Sequence, residues 1–106
     1  MIKSLGLVVT PAPGTPVQVI TTRFGAQTIK CTARKGNTGL VFIGGKGMNK
    51  TSGANVFGVV GIPPATGQWP DLTFTAQVMA NTFEASAFYV DADQANDGVY
   101  VTVVQG

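Results

Sequence analysis

From Gln27 to Arg34 the side chains alternate without a break. Ile29, Cys31 and Ala33 fall on one side, and Thr28, Lys30, Thr32 and Arg34 on the other. A two-residue period is the mark of a half-buried strand, with one face in a core and one facing solvent or a partner. The same habit runs through the chain. Ile2 to Thr10, Val17 to Thr22, Asp71 to Thr75 and Val99 to Val104 are short runs rich in Val, Ile and Thr, and 14 Gly and 6 Pro punctuate the sequence. Leu40 to Ile43 is a short continuous apolar run, as in a strand buried on both faces, and Val56 to Ile62 is apolar. Pro11-Ala12-Pro13-Gly14, Lys35-Gly36-Asn37-Thr38-Gly39, Pro63-Pro64-Ala65-Thr66-Gly67 and Asn96-Asp97-Gly98 supply the reversals. The expected last pair of strands, Ala87 to Asp91 and Val99 to Val104, would be joined by Asn96-Asp97-Gly98 as a hairpin. Only Thr75 to Ser86 resembles a helix, and it also fits a strand with a loop. About seven to eight short antiparallel strands in 106 residues predict one all-β domain over residues 1–106, a small β-sandwich or β-barrel. Residues 1–10 are expected to be an N-terminal arm or an edge strand.

Gly44 to Asn55 breaks the pattern. Four glycines among Lys46, Asn49, Lys50, Thr51 and Ser52 predict an exposed, mobile loop. Gly44-Gly45-Lys46-Gly47 does not meet the Gly-x-x-x-x-Gly-Lys-Ser/Thr spacing of a phosphate-binding loop.

Charge is sparse. Charged residues are 11 % of the chain and apolar ones 44 %, where soluble domains carry roughly 25 % charged residues. A surface so poor in charge predicts extensive contact with other subunits. The net charge of +2 is too small for a nucleic-acid footprint. All seven basic residues, Lys3, Arg23, Lys30, Arg34, Lys35, Lys46 and Lys50, precede all five acidic ones, Asp71, Glu84, Asp91, Asp93 and Asp97. Such segregation registers neighbours in an assembly, or pairs strands within one domain. In the first case Lys3, Arg23, Lys30, Arg34, Lys46 and Lys50 are partner-binding residues, with Trp69 beside Pro70 as an exposed aromatic anchor.

The chemistry of common catalytic sites is missing from the residues. Histidine is absent, which removes the usual base of a hydrolase triad and the usual partner of a catalytic cysteine. The chain therefore reads as a non-enzyme that needs no cofactor. Cys31 is the single cysteine, so an intrachain disulfide is impossible, and its place in the alternation marks it as a small core residue. Asp91, Asp93 and Asp97, with Asn96, offer oxygen ligands for Ca²⁺, but the spacing of an EF-hand is not met. The competing reading is a hairpin loop whose Asp and Asn side chains bond to their own backbone. The aromatics Trp69, Phe42, Phe57, Phe74, Phe83, Phe88, Tyr89 and Tyr100 would serve as core, as interface anchors or as a sugar platform. No apolar run reaches the roughly 20 residues of a membrane span. The opening stretch alternates like a strand, so it reads as mature sequence made in a cytoplasm.

Three segments taken in order resemble small structural proteins of tailed bacteriophages. They are Gly36-Asn37-Thr38-Gly39-Leu40-Val41-Phe42-Ile43-Gly44, then Gly61-Ile62-Pro63-Pro64, then Phe88-Tyr89-Val90-Asp91-Ala92-Asp93 followed by Asp97-Gly98-Val99. The resemblance spans residues 17 to 104, and the Gly44 to Asn55 loop and Pro63-Pro64 depart from the pattern. It implies a capsid cement or decoration protein on the outside of a virion, a homotrimer bridging subunits of the major capsid protein. A tail, fibre or baseplate component is the next reading. A carbohydrate- or Ca²⁺-binding adhesin module using Trp69 and the Asp91 to Asp97 loop is the third.

Overall fold

A computed structural model describes residues 2–20, 25–26, 28–63, 70–75, 83–84 and 87–104. The elements are β1 (Ile2–Thr10), β2 (Val17–Gln18), β3 (Gly25–Ala26), β4 (Thr28–Ala33), β5 (Val41–Asn49), β6 (Ala54–Val60), β7 (Asp71–Thr75), β8 (Phe83–Glu84), β9 (Tyr89–Ala92) and β10 (Asp97–Val104). They form two four-stranded antiparallel sheets, β1-β10-β4-β7 and β2-β9-β5-β6, while β3 and β8 make a small ribbon. The all-β expectation holds, as a sandwich and not a closed barrel. Each sheet ends on its own edge strands, β1 and β7 in one and β2 and β6 in the other.

The core follows from the alternation. Ile29, Cys31 and Ala33 of β4, and Val99, Val101 and Val103 of β10, face Val41 and Ile43 of β5 and Val90 and Ala92 of β9, all with no exposed surface. Fully burying a Val or Ile side chain contributes about 1.5–3 kcal/mol, and β-branched residues also suit the pleated backbone. Phe88 seals the perimeter with Phe57 and Phe74, their ring centroids 5.4–6.3 Å apart. The geometry is edge-to-face or tilted, as ring quadrupoles prefer.

Two expectations change and two are narrowed. First, of the two readings for residues 1–10, an arm or an edge strand, Ile2–Thr10 is the edge strand. Ile2 to Thr10 pairs with Val104 back to Asp97 along its whole length, with a bulge between Ser4 and Gly6. Second, Gly44 to Asn55 is no open loop but most of the β5–β6 hairpin. Asn49 closes its turn, Oδ1 accepting from the amides of Thr51 and Ser52, and Gly53 takes a φ of +82° that favours glycine. Third, β9 and β10 are not a hairpin. The turn at residues 93–96 carries the chain from one sheet to the other, and Asn96 turns it at φ +68°. Fourth, in the stretch from Thr75 to Ser86, Thr75 ends β7 and Phe83–Glu84 pairs with β3, while 76–82 and 85–86 lie outside the described residues.

Candidate interaction surfaces

At one end of the sandwich the acidic loop is tied to the backbone of distant segments. Asp97 is buried, and its Oδ2 accepts from the amides of Thr38 (3.0 Å) and Gly39 (2.8 Å). Asn37 is also buried. Its Nδ2 donates to the Gly98 carbonyl at 2.8 Å, and its Oδ1 accepts from the Gly98 amide at 3.0 Å. The side-chain amide thus continues the β4–β10 ladder where β4 has ended, since Arg34 N already donates to the same carbonyl. Gly98 is required by packing: a Cβ there would lie 2.1 Å from the Val8 carbonyl oxygen and 2.9 Å from Val9 Cα. The Asn-Thr-Gly and Asp-Gly motifs, far apart in sequence, are two halves of one clasp.

Asp91 does the same work on the outer face of the second sheet. It is 1 % exposed, and its Oδ1 accepts from the amides of Gly14 (3.0 Å) and Ala92 (2.8 Å), which pins the Pro11 to Gly14 reversal. Asp93 stays at the surface and pairs with Lys50 at 3.3 Å. The three aspartates of the Ca²⁺ reading are therefore held on separate partners, and no group of three acidic, Cys or His side chains able to hold a metal occurs among the described residues. The loop's hydrogen bonds are long-range as well as local, which sequence spacing cannot reveal. A cleft of about 210 Å³ lies between Gly14, Met48, Asn49, Lys50, Thr51 and Asp91. That is smaller than the pockets of ~300 Å³ and upward that hold small-molecule ligands.

The basic residues divide. Lys30 forms an ion pair with Asp71 at 3.3 Å, and Lys50 donates to the Ala92 carbonyl at 2.6 Å as well as to Asp93. Arg34 Nη1 donates to the Asn96 carbonyl at 2.6 Å. For Lys30 and Lys50, sign segregation in sequence becomes pairing within one domain, while Arg34 is tied to a backbone carbonyl. Lys46 is exposed on β5, and Lys3 lies in β1 opposite Val103. Arg23 and Trp69 lie outside the described residues. Cys31 is fully buried, and burial pushes its thiol from the ordinary 9.0 up to about 12, so it stays neutral and unreactive at physiological pH.

Two surfaces missed by the sequence reading stand out. The outer face of the β1-β10-β4-β7 sheet holds Leu7 beside Tyr100, 42 % and 41 % exposed, in register with each other and with Thr32. Thr28, Thr73 and Thr102 share that face with the Lys30–Asp71 pair, and Arg34 continues the same alternation at its end. The signal was present in the alternation of Thr28 to Thr32 and Tyr100 to Thr102, but only strand order sets the rows side by side. The second surface is the β6 edge, where Phe57 and Val59 are 54 % and 44 % exposed.

These features define the class of the molecule, an all-β two-sheet sandwich. Comparison with protein-family models, curated proteins and solved structures finds no match. Among the described residues, no helix is long and apolar enough to cross a membrane.

Proposed function

We propose that this chain is a non-catalytic structural domain that decorates the outside of a bacteriophage capsid and cements neighbouring subunits of the major capsid protein. The observation that carries the binding role is the outer face around Leu7 and Tyr100. It is apolar at its centre and hydroxyl-rich around it, and the Lys30 and Asp71 charges beside it are paired with each other. The centre of such a face sheds water at low cost, because Leu7 and Tyr100 bring no charge to desolvate. Tyrosine at the centre of a low-charge patch is also the composition of an interface anchor. The particle itself is suggested by the resemblance of the Asn-Thr-Gly, Tyr-Val-Asp-Ala-Asp and Asp-Gly segments to phage structural proteins. Those motifs build the clasp, so they speak for the fold, and the Leu7–Tyr100 face speaks for binding.

Cementing would act through added buried area. A contact of standard size covers about 800 Å² on each partner, and each copy spanning two capsid subunits raises the barrier to their separation. The test is the copy number relative to the major capsid protein in purified particles. A ratio near one, or one copy per capsomer corner, is the expected result. A few copies per particle would move the chain to a tail, fibre or baseplate, and absence from particles would end the virion reading. In the same particles, Leu7→Lys with Tyr100→Lys should cut occupancy at least tenfold while the isolated domain still melts cooperatively. Unchanged occupancy would show that this face is not the contact.

A further inference from the structure

The two oxygens of the Asp91 carboxylate have different surroundings. Oδ1 accepts from the amides of Gly14 and Ala92 at 3.0 and 2.8 Å. No donor bonds Oδ2 among the described residues. Buried polar atoms nearly always have a partner, and no side-chain oxygen or nitrogen among the described residues is both sealed from solvent and unpartnered. Oδ2 therefore opens outward although Asp91 is 1 % exposed, and the cleft it lines with Gly14, Met48, Asn49, Lys50 and Thr51 is the opening. Lys50 is the second charged wall. Its side chain is 17 % exposed, and its ammonium donates to the Ala92 carbonyl at 2.6 Å and to Asp93 at 3.3 Å. An ammonium group has a third N–H to give. Asn49 engages its Oδ1 with the amides of Thr51 and Ser52, which leaves its Nδ2 as a donor, and Thr51 adds a hydroxyl. Asn49 and Thr51 are exposed and stand at the mouth, while buried Asp91 forms the floor.

We propose that this cleft binds a small zwitterionic α-amino acid, its ammonium on Asp91 Oδ2 and its carboxylate among Lys50 Nζ, Asn49 Nδ2 and the Thr51 hydroxyl. The walls decide against simpler ligands one at a time. A metal ion would meet one carboxylate oxygen with the Lys50 ammonium in the same cleft, where Ca²⁺ takes about 6–8 oxygen ligands. An inorganic anion would meet Lys50 but also the Asp91 carboxylate, and like charges repel strongly away from bulk water. An apolar molecule would leave Oδ2 buried with no donor at all. A zwitterion answers both signs at once: its ammonium supplies the donor that Oδ2 lacks, and its carboxylate accepts from the three groups nearer the mouth. Bonds of this kind are charge-assisted, and so stronger than neutral ones. Size sets the class further. The cleft holds about 210 Å³, below the ~300 Å³ at which drug-sized ligands begin to fit, so it takes a molecule of amino-acid size. With both ends of the ligand held, little room is left for its side chain, which favours glycine, alanine or serine over large amino acids. The site stands apart from the capsid reading, since it rests on this cleft alone.

Titration of the full, nitrogen-labelled chain with glycine, followed by amide NMR, tests it. The expected result is a saturable change at millimolar glycine, confined to the amides of Gly14, Asn49 to Thr51, Asp91 and Ala92. Methylammonium and acetate each carry one half of the charge pattern, and each should bind at least tenfold more weakly than glycine. Free tryptophan, too large for the cleft, should do the same. These comparisons use the unaltered chain and so survive any variant's failure to fold. Asp91→Asn keeps an oxygen for the Gly14 and Ala92 amides and removes the charge, and it should weaken glycine binding at least tenfold. Lys50→Met keeps the stem, loses the donor, and should weaken it several-fold. The proposal is overturned if glycine, alanine and serine all fail to saturate, or if the changes fall on other amides. It is equally overturned if acetate, methylammonium or Ca²⁺ binds as tightly as glycine, or if a folded Asp91→Asn chain binds glycine as the parent does.

Discussion

Two residues show how a single atom's surroundings set the cost of changing it. At Gly98 the atoms a side chain would meet are backbone, the Val8 carbonyl and Val9 Cα, and backbone in a paired strand cannot swing aside. Gly98→Ala should therefore lower stability by about 3 kcal/mol, the upper range for overpacking. At Gly39 the nearest atom, at 2.9 Å, is Cγ of Gln94, an exposed and flexible side chain. Gly39→Ala should cost about 1 kcal/mol at the low end of the same range. Thermal melting of the two variants checks the order, and equal losses would refute the backbone explanation. Cys31 makes a prediction in pH. Burial raises its folded-state pKa to about 12 from 9.0, so the folded chain keeps a proton that the unfolded chain loses. The stabilisation is whole below pH 9 and declines as pH rises toward 12, at about 1.4 kcal/mol per pH unit from this group. Denaturant titrations from pH 8 to 11 should show a shallower decline for Cys31→Ala than for the parent chain. Parallel declines would mean that the thiol is not the source.

At the scale of elements, β1 is the informative case. It ends its sheet, yet it covers all of β10, including the Gly98 seat, and Thr10 ties it to the rest. The Thr10 hydroxyl donates to the Val90 carbonyl at 3.3 Å, and the Thr10 carbonyl accepts from the Asn96 amide at 2.8 Å. Deleting Ile2 to Thr10 should abolish cooperative folding, as seen by loss of a sharp melting transition. A truncated chain that still melts sharply would restore the idea of a dispensable arm. The β5–β6 hairpin makes the complementary point. Gly44, Gly45, Gly47 and Gly53 resemble a loop by composition, yet a Cβ on Gly44 would meet the Asn55 carbonyl oxygen at 2.2 Å, and Gly45 lies under the ring of Phe57. Gly44 and Gly45 serve close approach within the hairpin, and Gly47 and Gly53 its positive φ angles of +76° and +82°.

At the scale of the whole molecule, the first strand pairs with the last, and β4 lies between β10 and β7. Almost every strand partner is distant in sequence, so much loop entropy is lost before any sheet contact forms. Refolding should take milliseconds to seconds, as for other all-β sandwiches, and stopped-flow fluorescence of Trp69 would follow it. A microsecond phase carrying the full amplitude would contradict the topology. Poor surface charge belongs to this scale too. With Lys30, Lys50 and Arg34 engaged inside the domain, little charge remains to keep copies apart.

What can be read without coordinates is local and periodic. Alternation named the inward faces of β4 and β10, including Cys31, and Gly and Pro marked the reversals, because a strand's two-residue period and a turn's dihedral demands are written in neighbouring residues. What could not be read depends on partners far along the chain. Asp97 bonds to residues 58 and 59 positions away and Asn37 to one 61 away, so a cluster resembling a cation loop is a backbone clasp instead. Strand order made the same difference between an arm and an edge strand for residues 1–10, and set Leu7 beside Tyr100. Pairing between distant strands is chosen by the free energy of the whole core, and no short window of sequence contains it.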